Sequence, residues 1–222
     1  MGKRGRKAAA TGTGTGAAGA GEVRTRLLAA ATELFANRGY AATTVREIVE
    51  RAGVTKPALY YYFRSKEGIY LALMREPFER FVALVDGTAA EERTARERIV
   101  RLCLRAYDIF VEHLALARVM YAIYYGPPQG APFVDFDAYH LRFQEAVLSL
   151  LEEGIRRREF RRGEARDMMW AVVGAVNVAM ELELCRPAQS VGREGIRRML
   201  GILFDGIAPG RGKAKGKGKG KG

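Results

Sequence analysis

The 222-residue chain is predicted to be all-α, and three observations carry that prediction. Between positions 23 and 207 apolar residues recur at spacings of three and four, the period of a helix with one buried face. No run alternates with period two between hairpin-forming turns. The Gly- and Pro-rich breaks fall between the periodic stretches, at Gly39, Gly53 and the loop Gly126-Pro127-Pro128-Gln129-Gly130-Ala131-Pro132. With 48% hydrophobic and 28% charged residues the chain has enough apolar content to bury a core. No uninterrupted run approaches the ~18 apolar residues of a membrane helix. The basic start, Met1-Gly2-Lys3-Arg4-Gly5-Arg6-Lys7, is not followed by the apolar stretch of a secretory leader. A soluble, cytoplasmic protein with no membrane partner is expected.

Val23, Leu27, Ala31, Leu34 and Phe35 line one face of a first helix, which Gly39 ends as a C′ residue. Val45, Ile48, Val49 and Ala52 follow the i, i+3, i+4, i+7 pattern of a short second helix. Its start is the capping box Thr44-Val45-Arg46-Glu47. Ala52-Gly53-Val54 is a tight turn, after which Thr55 caps a third helix that tolerates Pro57 in its first turn. Ser65 caps a fourth. Further helices are expected near 66–85, 92–114, 116–125, 135–158, 164–185 and 190–207, with Pro77 kinking or breaking the fourth. Residues 8–21 are low in complexity and rich in Gly, and with the Lys/Gly-alternating end they are expected to be disordered. Cys103 and Cys185 sit in helical apolar patterns and are read as buried free thiols, with no metal-type spacing.

The net charge is +12 and it is unevenly placed. Residues 1–20 carry +4, residues 209–222 carry +6, and the body between them only +2. Within that body, residues 21–70 hold +3. The folded part with a basic bias is thus the N-terminal fifth, as for a nucleic-acid face.

The stretch from Thr43 to Phe63, TTVREIVERAGVTKPALYYYF, places two short helices around a three-residue turn containing Gly, which is the helix-turn-helix pattern (motif 44–63). Val45, Ile48, Val49, Leu59 and Phe63 form the seam to the first helix. That leaves Lys56, Ala58, Tyr60 and Tyr61 on the third helix, whose N-terminal residues can enter a major groove. Lys can donate to guanine O6 and N7, and Ala can touch a thymine methyl. Tyrosine and threonine hydroxyls and the N–H groups at the helix starts capped by Thr44 and Thr55 suit phosphate oxygens. Tyr60, Tyr61 and Tyr62 cannot all face inward, because helix neighbours lie about 100° apart.

From about Thr25 to Leu73 the chain resembles the TetR family of bacterial regulators. The segments that carry the likeness are LLAAATELFANRGY (27–40), Thr43 to Ile48, Ala52 to Lys56, Leu59 to Phe63, and Ser65-Lys66-Glu67. The resemblance implies an N-terminal three-helix helix-turn-helix domain, a connecting fourth helix, and a C-terminal helical ligand-binding and dimerisation domain. The expected division is a basic, Gly-rich tail over 1–20, the DNA-binding domain with its connector over 21–81, the ligand and dimer domain over 82–208, and a Lys/Gly tail over 209–222. Carried over by position, Thr44, Arg46, Lys56, Pro57, Ala58, Tyr60, Tyr61 and Lys66 match places where the family contacts DNA, and Thr55 joins them at the cap of the third helix. Pro77 and the basic tails depart from the family's core pattern.

The C-terminal half is less legible. The helices near 164–185 and 190–207 are apolar over much of their surface, and the resemblance implies that they pair with their copies in a homodimer, Gly174, Ala175 and Ala179 allowing close approach. Tyr107, Phe110, Met120, Tyr121, Tyr124 and Phe143 are candidate walls of a pocket for an apolar or aromatic effector; for each, ordinary core packing is the competing role. His113 and His140 lack metal-ligand spacing, and neither a metal nor a cofactor is expected. With no nucleophile elbow, phosphate loop or metal pair, an enzyme is not expected. The expected function is a sequence-specific transcriptional regulator binding double-stranded DNA, a repressor released from a palindromic operator by a small molecule. The alternative is a non-specific architectural DNA-binding protein driven by its basic tails.

Overall fold

The computed structural model describes residues 15–88 and 93–208. The described residues form helices and loops without strands, in the order α1 (Thr15–Arg38), α2 (Val45–Ala52), α3 (Lys56–Phe63), α4 (Lys66–Thr88), α5 (Ala95–Glu112), α6 (Leu114–Tyr124), α7 (Phe136–Arg156), α8 (Ala165–Cys185) and α9 (Gly192–Ile207). A 3-10 turn (Pro187–Gln189) precedes α9. The all-α expectation holds, and the helix ends lie within three residues of the positions read from periodicity.

Three expectations are corrected. Residues 15–20, read as disordered, form the first turns of α1; Ala17, Ala18 and Ala20 are strong helix formers, and extending an existing helix avoids the cost of nucleation. The expectation of disorder over residues 8–14 and 209–222 falls outside the described residues. Pro77 does not break α4, which runs through it from Lys66 to Thr88. Proline removes one N–H and crowds one carbonyl, while Tyr70 and Met74 before it and Leu84 and Val85 after it are buried and hold each half in place. Cys185 is exposed at the end of α8, whereas Cys103 is buried, and burial pushes its thiol up to about 12.

The chain divides into two compact units. One is built on residues up to Met74 together with Arg118–Phe133, the other on Arg75–Ala117 together with residues from Val134 onward. The division falls at Met74/Arg75, earlier than the 81/82 boundary read from the sequence, and the end of α6 with its following loop groups with the first unit.

In the first unit α1 packs on α2 and α3 through Leu27, Ala31, Phe35, Ile48, Val49, Leu59 and Phe63, all buried. A small aromatic cluster closes it. The Tyr40 and Tyr70 rings lie 5.2 Å apart, and each meets Phe35. In the second unit α5, α7, α8 and α9 share a core that includes Ile99, Leu102, Leu151, Val172, Val176, Ile196 and Leu200. Arg98, almost wholly buried, is held there by Glu153 at 2.8 and 2.9 Å and by the Thr88 carbonyl at 3.1 Å. Gly154 is required at its position, because a Cβ would lie 2.4 Å from the Phe160 ring.

α8 is long and apolar enough, by length and composition, to cross a bilayer. Counting uninterrupted apolar residues missed this, since hydropathy averaged along a helix tolerates small neutral residues such as Gly174. Its inner face, with Met168, Met169, Val172, Val173, Val176 and Ala179, lies in the second unit's core, and its outer face shows Trp170 and Val178.

Candidate nucleic-acid interface

The interface is built on how α2 and α3 are started, stopped and turned. Thr44 and Glu47 form the anticipated capping box. The Thr44 N–H donates to Glu47 Oε2 at 2.8 Å, and the Glu47 N–H donates to Thr44 Oγ1 at 3.2 Å. These bonds, with Arg38 close by, hold the Glu47 carboxyl below its ordinary range. Gly53 ends α2 in the left-handed conformation, φ 63°, which glycine adopts without steric cost. Arg26 donates to the Ala52 carbonyl (Nε, 2.9 Å) and to the Gly53 carbonyl (Nη2, 2.8 Å), so a cation covers the negative end of α2.

α3 follows with Thr55 at its N-cap and Pro57 in its first turn. Leu59 is wholly buried and Phe63 nearly so. That anchors one face and turns the other to solvent: Lys56 and Pro57 are exposed, Tyr60 is 50% exposed and Tyr61 80%. Ala58 and Tyr62 are half-buried. Two of the three consecutive tyrosines are thus outward, as helix geometry required.

The expected DNA-binding residues fall into two groups. Lys56, Pro57, Tyr60 and Tyr61 form the outer face of α3. Ala58 lies beside them, and the Thr55 side chain makes no cap hydrogen bond, so its hydroxyl is available. The others already serve the protein. Thr44 Oγ1 donates to Glu47 at 2.8 Å, Arg46 pairs with Glu50 at 2.7 Å, and Lys66 donates to the Tyr40 and Thr43 carbonyls at 3.0 Å each while lying 4.2 Å above the Tyr40 ring. Two of the three Lys66 N–H groups are thereby used, leaving one for a phosphate.

Sequence reasoning missed Arg24 and Arg64. Arg24 lies over the Phe63 ring at 5.6 Å. Arg64, exposed and four residues on from Tyr60, ends α3 with φ 63°, a conformation uncommon for any side chain but glycine. Periodicity gives no signal for either, although a basic residue directly after a recognition helix is a hint in composition.

The six expected effector-pocket residues separate. Tyr107 and Phe143 are buried in the core of the second unit, with Phe110 half-buried in the same unit. Met120, Tyr121 and Tyr124 belong to the first unit, where Tyr121 and Tyr124 each meet the Tyr125 ring. A cavity of about 390 Å³ in the second unit is lined by others, among them Arg80, Leu84, Arg105, Asp108, Ile109 and Glu112. Among the described residues no group of three or more His, Cys, Asp or Glu side chains is placed to hold a metal ion.

A capped helix, a glycine turn and a second helix that buries one face and offers the other define a helix-turn-helix DNA-binding protein. Residues 27–73 match the family described as "Bacterial regulatory proteins, tetR family", and the chain belongs to that family: it is a DNA-binding transcriptional regulator, not an enzyme. It is 40% identical over 92 residues to the HTH-type transcriptional activator FasR of Mycolicibacterium smegmatis, covering 41% of this chain and 42% of that one. It is 29% identical over 202 residues to the HTH-type transcriptional repressor KstR2 of Rhodococcus jostii, covering 83% of this chain and 91% of the relative. In the first alignment, therefore, the chain spans less than half the length of the relative. Its fold matches that of the transcriptional regulator FadR from Bacillus subtilis, solved in complex with stearoyl-CoA, with a TM-score of 0.61 at 21% identity over 82% of this chain and 98% of FadR.

Proposed function

We propose that the protein is a cytoplasmic homodimeric repressor that binds a palindromic operator and leaves it when a small-molecule effector with a large apolar portion binds. The observation that carries the reading is the division of α3, with Leu59 and Phe63 locked into the core and Lys56, Pro57, Tyr60 and Tyr61 turned outward from the helix start. Lys56, Ala58 and Tyr60 would read base edges, and Thr55, Tyr61 and the remaining Lys66 N–H would meet phosphates. Thr44 and Arg46 would join them only when the capping box and the Arg46–Glu50 pair open.

Dimerisation is supported by the outer face of α8 and α9. Trp170 is 54% exposed and Ile202 74%, Val178 is exposed as well, and a Cβ at Gly174 would meet nothing within 4 Å. Two copies would set their recognition helices about 34 Å apart, one turn of the duplex. Effector release is supported by the FadR structure, which holds stearoyl-CoA, and by the apolar core of the second unit. A ligand that prefers a form of the dimer with another helix spacing would shift the population off DNA. Repression rather than activation is supported by the KstR2 alignment, which spans most of both chains.

The test is selection of bound duplexes from a random pool, followed by footprinting with and without acyl-CoA. The reading expects two protected half-sites about 10 base pairs apart that acyl-CoA or another apolar ligand releases. Recovery of unrelated sequences would favour the architectural reading, which the charge of the chain ends supports.

A further inference from the structure

Few cations of the DNA-binding unit are free to meet phosphates. Among the described residues from 21 to 74, Arg38, Arg46 and Arg51 are paired with Glu47, Glu50 and Glu33. Arg26 and Lys66 are engaged with backbone carbonyls. That leaves Lys56, Arg64 and Arg24, the last lying over the Phe63 ring. A duplex carries a charge about every 1.7 Å, and affinity at physiological salt comes largely from neutralising several of them. Three cations per subunit is a small supply.

The ends of the chain are the reverse. Lys3, Arg4, Arg6 and Lys7 precede any acid, and Arg211, Lys213, Lys215, Lys217, Lys219 and Lys221 close the chain without one. The C-terminal lysines alternate with Gly or Ala, so small residues separate the charges. Between Gly2 and Ala20, and after Ile207, there is no aromatic or large aliphatic residue. A polybasic segment that holds to a bilayer normally needs a second, apolar anchor; one that follows a phosphate backbone does not.

We propose that these two ends supply most of the phosphate-binding charge, so that affinity and choice are separated: the ends hold any duplex, and the outer face of α3 selects the sequence. The inference rests on the DNA-binding reading but not on the existence of an operator.

The test compares the full-length chain with two full-length variants. In one, the ten terminal cations are replaced by glutamine; in the other, only the C-terminal six are (Arg211→Gln, Lys213→Gln, Lys215→Gln, Lys217→Gln, Lys219→Gln and Lys221→Gln). Binding to a labelled random-sequence duplex of about 30 base pairs is followed by anisotropy across a salt series. Neutralising all ten is expected to weaken binding at least about ten-fold at ~0.1 M salt and to make the slope of log affinity against log salt shallower by at least about 3, with the six-residue variant falling between. A slope within about 1 of the unaltered chain would overturn the proposal. So would a loss confined to phosphatidylserine vesicles with duplex binding unchanged. A chain with no preference for its selected sequence, whose slope still falls on neutralisation, would sink the operator reading and leave this one standing.

Discussion

The Gln129 side-chain oxygen accepts a hydrogen bond from the Tyr40 backbone N–H at 2.9 Å, across 89 positions of sequence. The same oxygen lies 2.7 Å from where a Cβ on Gly39 would stand, and Gly39 itself has φ +82°. The turn that leads into the helix-turn-helix is therefore shaped around a glutamine from the loop after α6. Gly39→Ala should destabilise the chain by about 1–3 kcal/mol, from the left-handed backbone and from the clash. Gln129→Ala should cost about 1 kcal/mol for the lost bond to a half-buried donor. Combining the two should cost less than their sum, because removing Gln129 relieves the clash. Urea unfolding of the four chains checks this, and strict additivity would count against the contact.

Tyr40 and Tyr70 hydroxyls are buried with no hydrogen-bond partner among the described residues. Tyr70→Phe should therefore leave stability unchanged or raise it by up to about 1 kcal/mol. Burial pushes both phenols up to about 12 from an ordinary 10, with the Glu67 charge adding to Tyr40 and Tyr40 adding to Tyr70. A group whose folded value is raised contributes fully below its unfolded value and loses that contribution as pH rises through the folded one. Stability should thus decline between pH 10 and 12, and less steeply in Tyr70→Phe. Denaturant midpoints across that range measure it.

Arg46 and Glu50 pair on the surface of α2 with both side chains mostly exposed. Glu50→Gln should change stability by less than about 0.5 kcal/mol. It should strengthen duplex binding several-fold at low salt by removing an acid and freeing a cation. Unchanged binding would show that Arg46 does not face DNA.

Trp170 is the single tryptophan and is 54% exposed on α8. Its fluorescence should shift to the red when the protein is diluted through the dimer dissociation range. Trp170→Glu should sediment as a monomer with its helical content kept. A dimeric Trp170→Glu variant would place the subunit interface elsewhere.

Much of this was legible in the sequence because local rules agreed with the fold. The capping box at Thr44, Gly53 in the turn and the spacing of Leu59 and Phe63 each dictate short-range geometry, and each stands where it was read. The anchored face of α3 follows from the same spacing. What was not legible depends on partners distant in the chain. No local pattern shows that Lys66 props the Tyr40 and Thr43 carbonyls, or that Gln129 reaches Tyr40. Pro77 was misread because propensity describes an isolated helix, and packing on both sides of it prevails. The effector pocket stayed obscure because its aromatic candidates obey the same spacing as ordinary core residues, and Tyr107 and Phe143 are core.

The central claim is that the outer face of α3 chooses the DNA. Its most direct measurement is random-pool selection carried out in parallel with the unaltered chain and with a variant carrying Lys56→Ala, Tyr60→Ala and Tyr61→Ala. The unaltered chain should enrich a two-fold symmetric sequence, whereas the variant, folded and still holding random duplex through its basic ends, should enrich none. If both chains recovered the same sequence with equal strength, some other part of the molecule would be reading the groove.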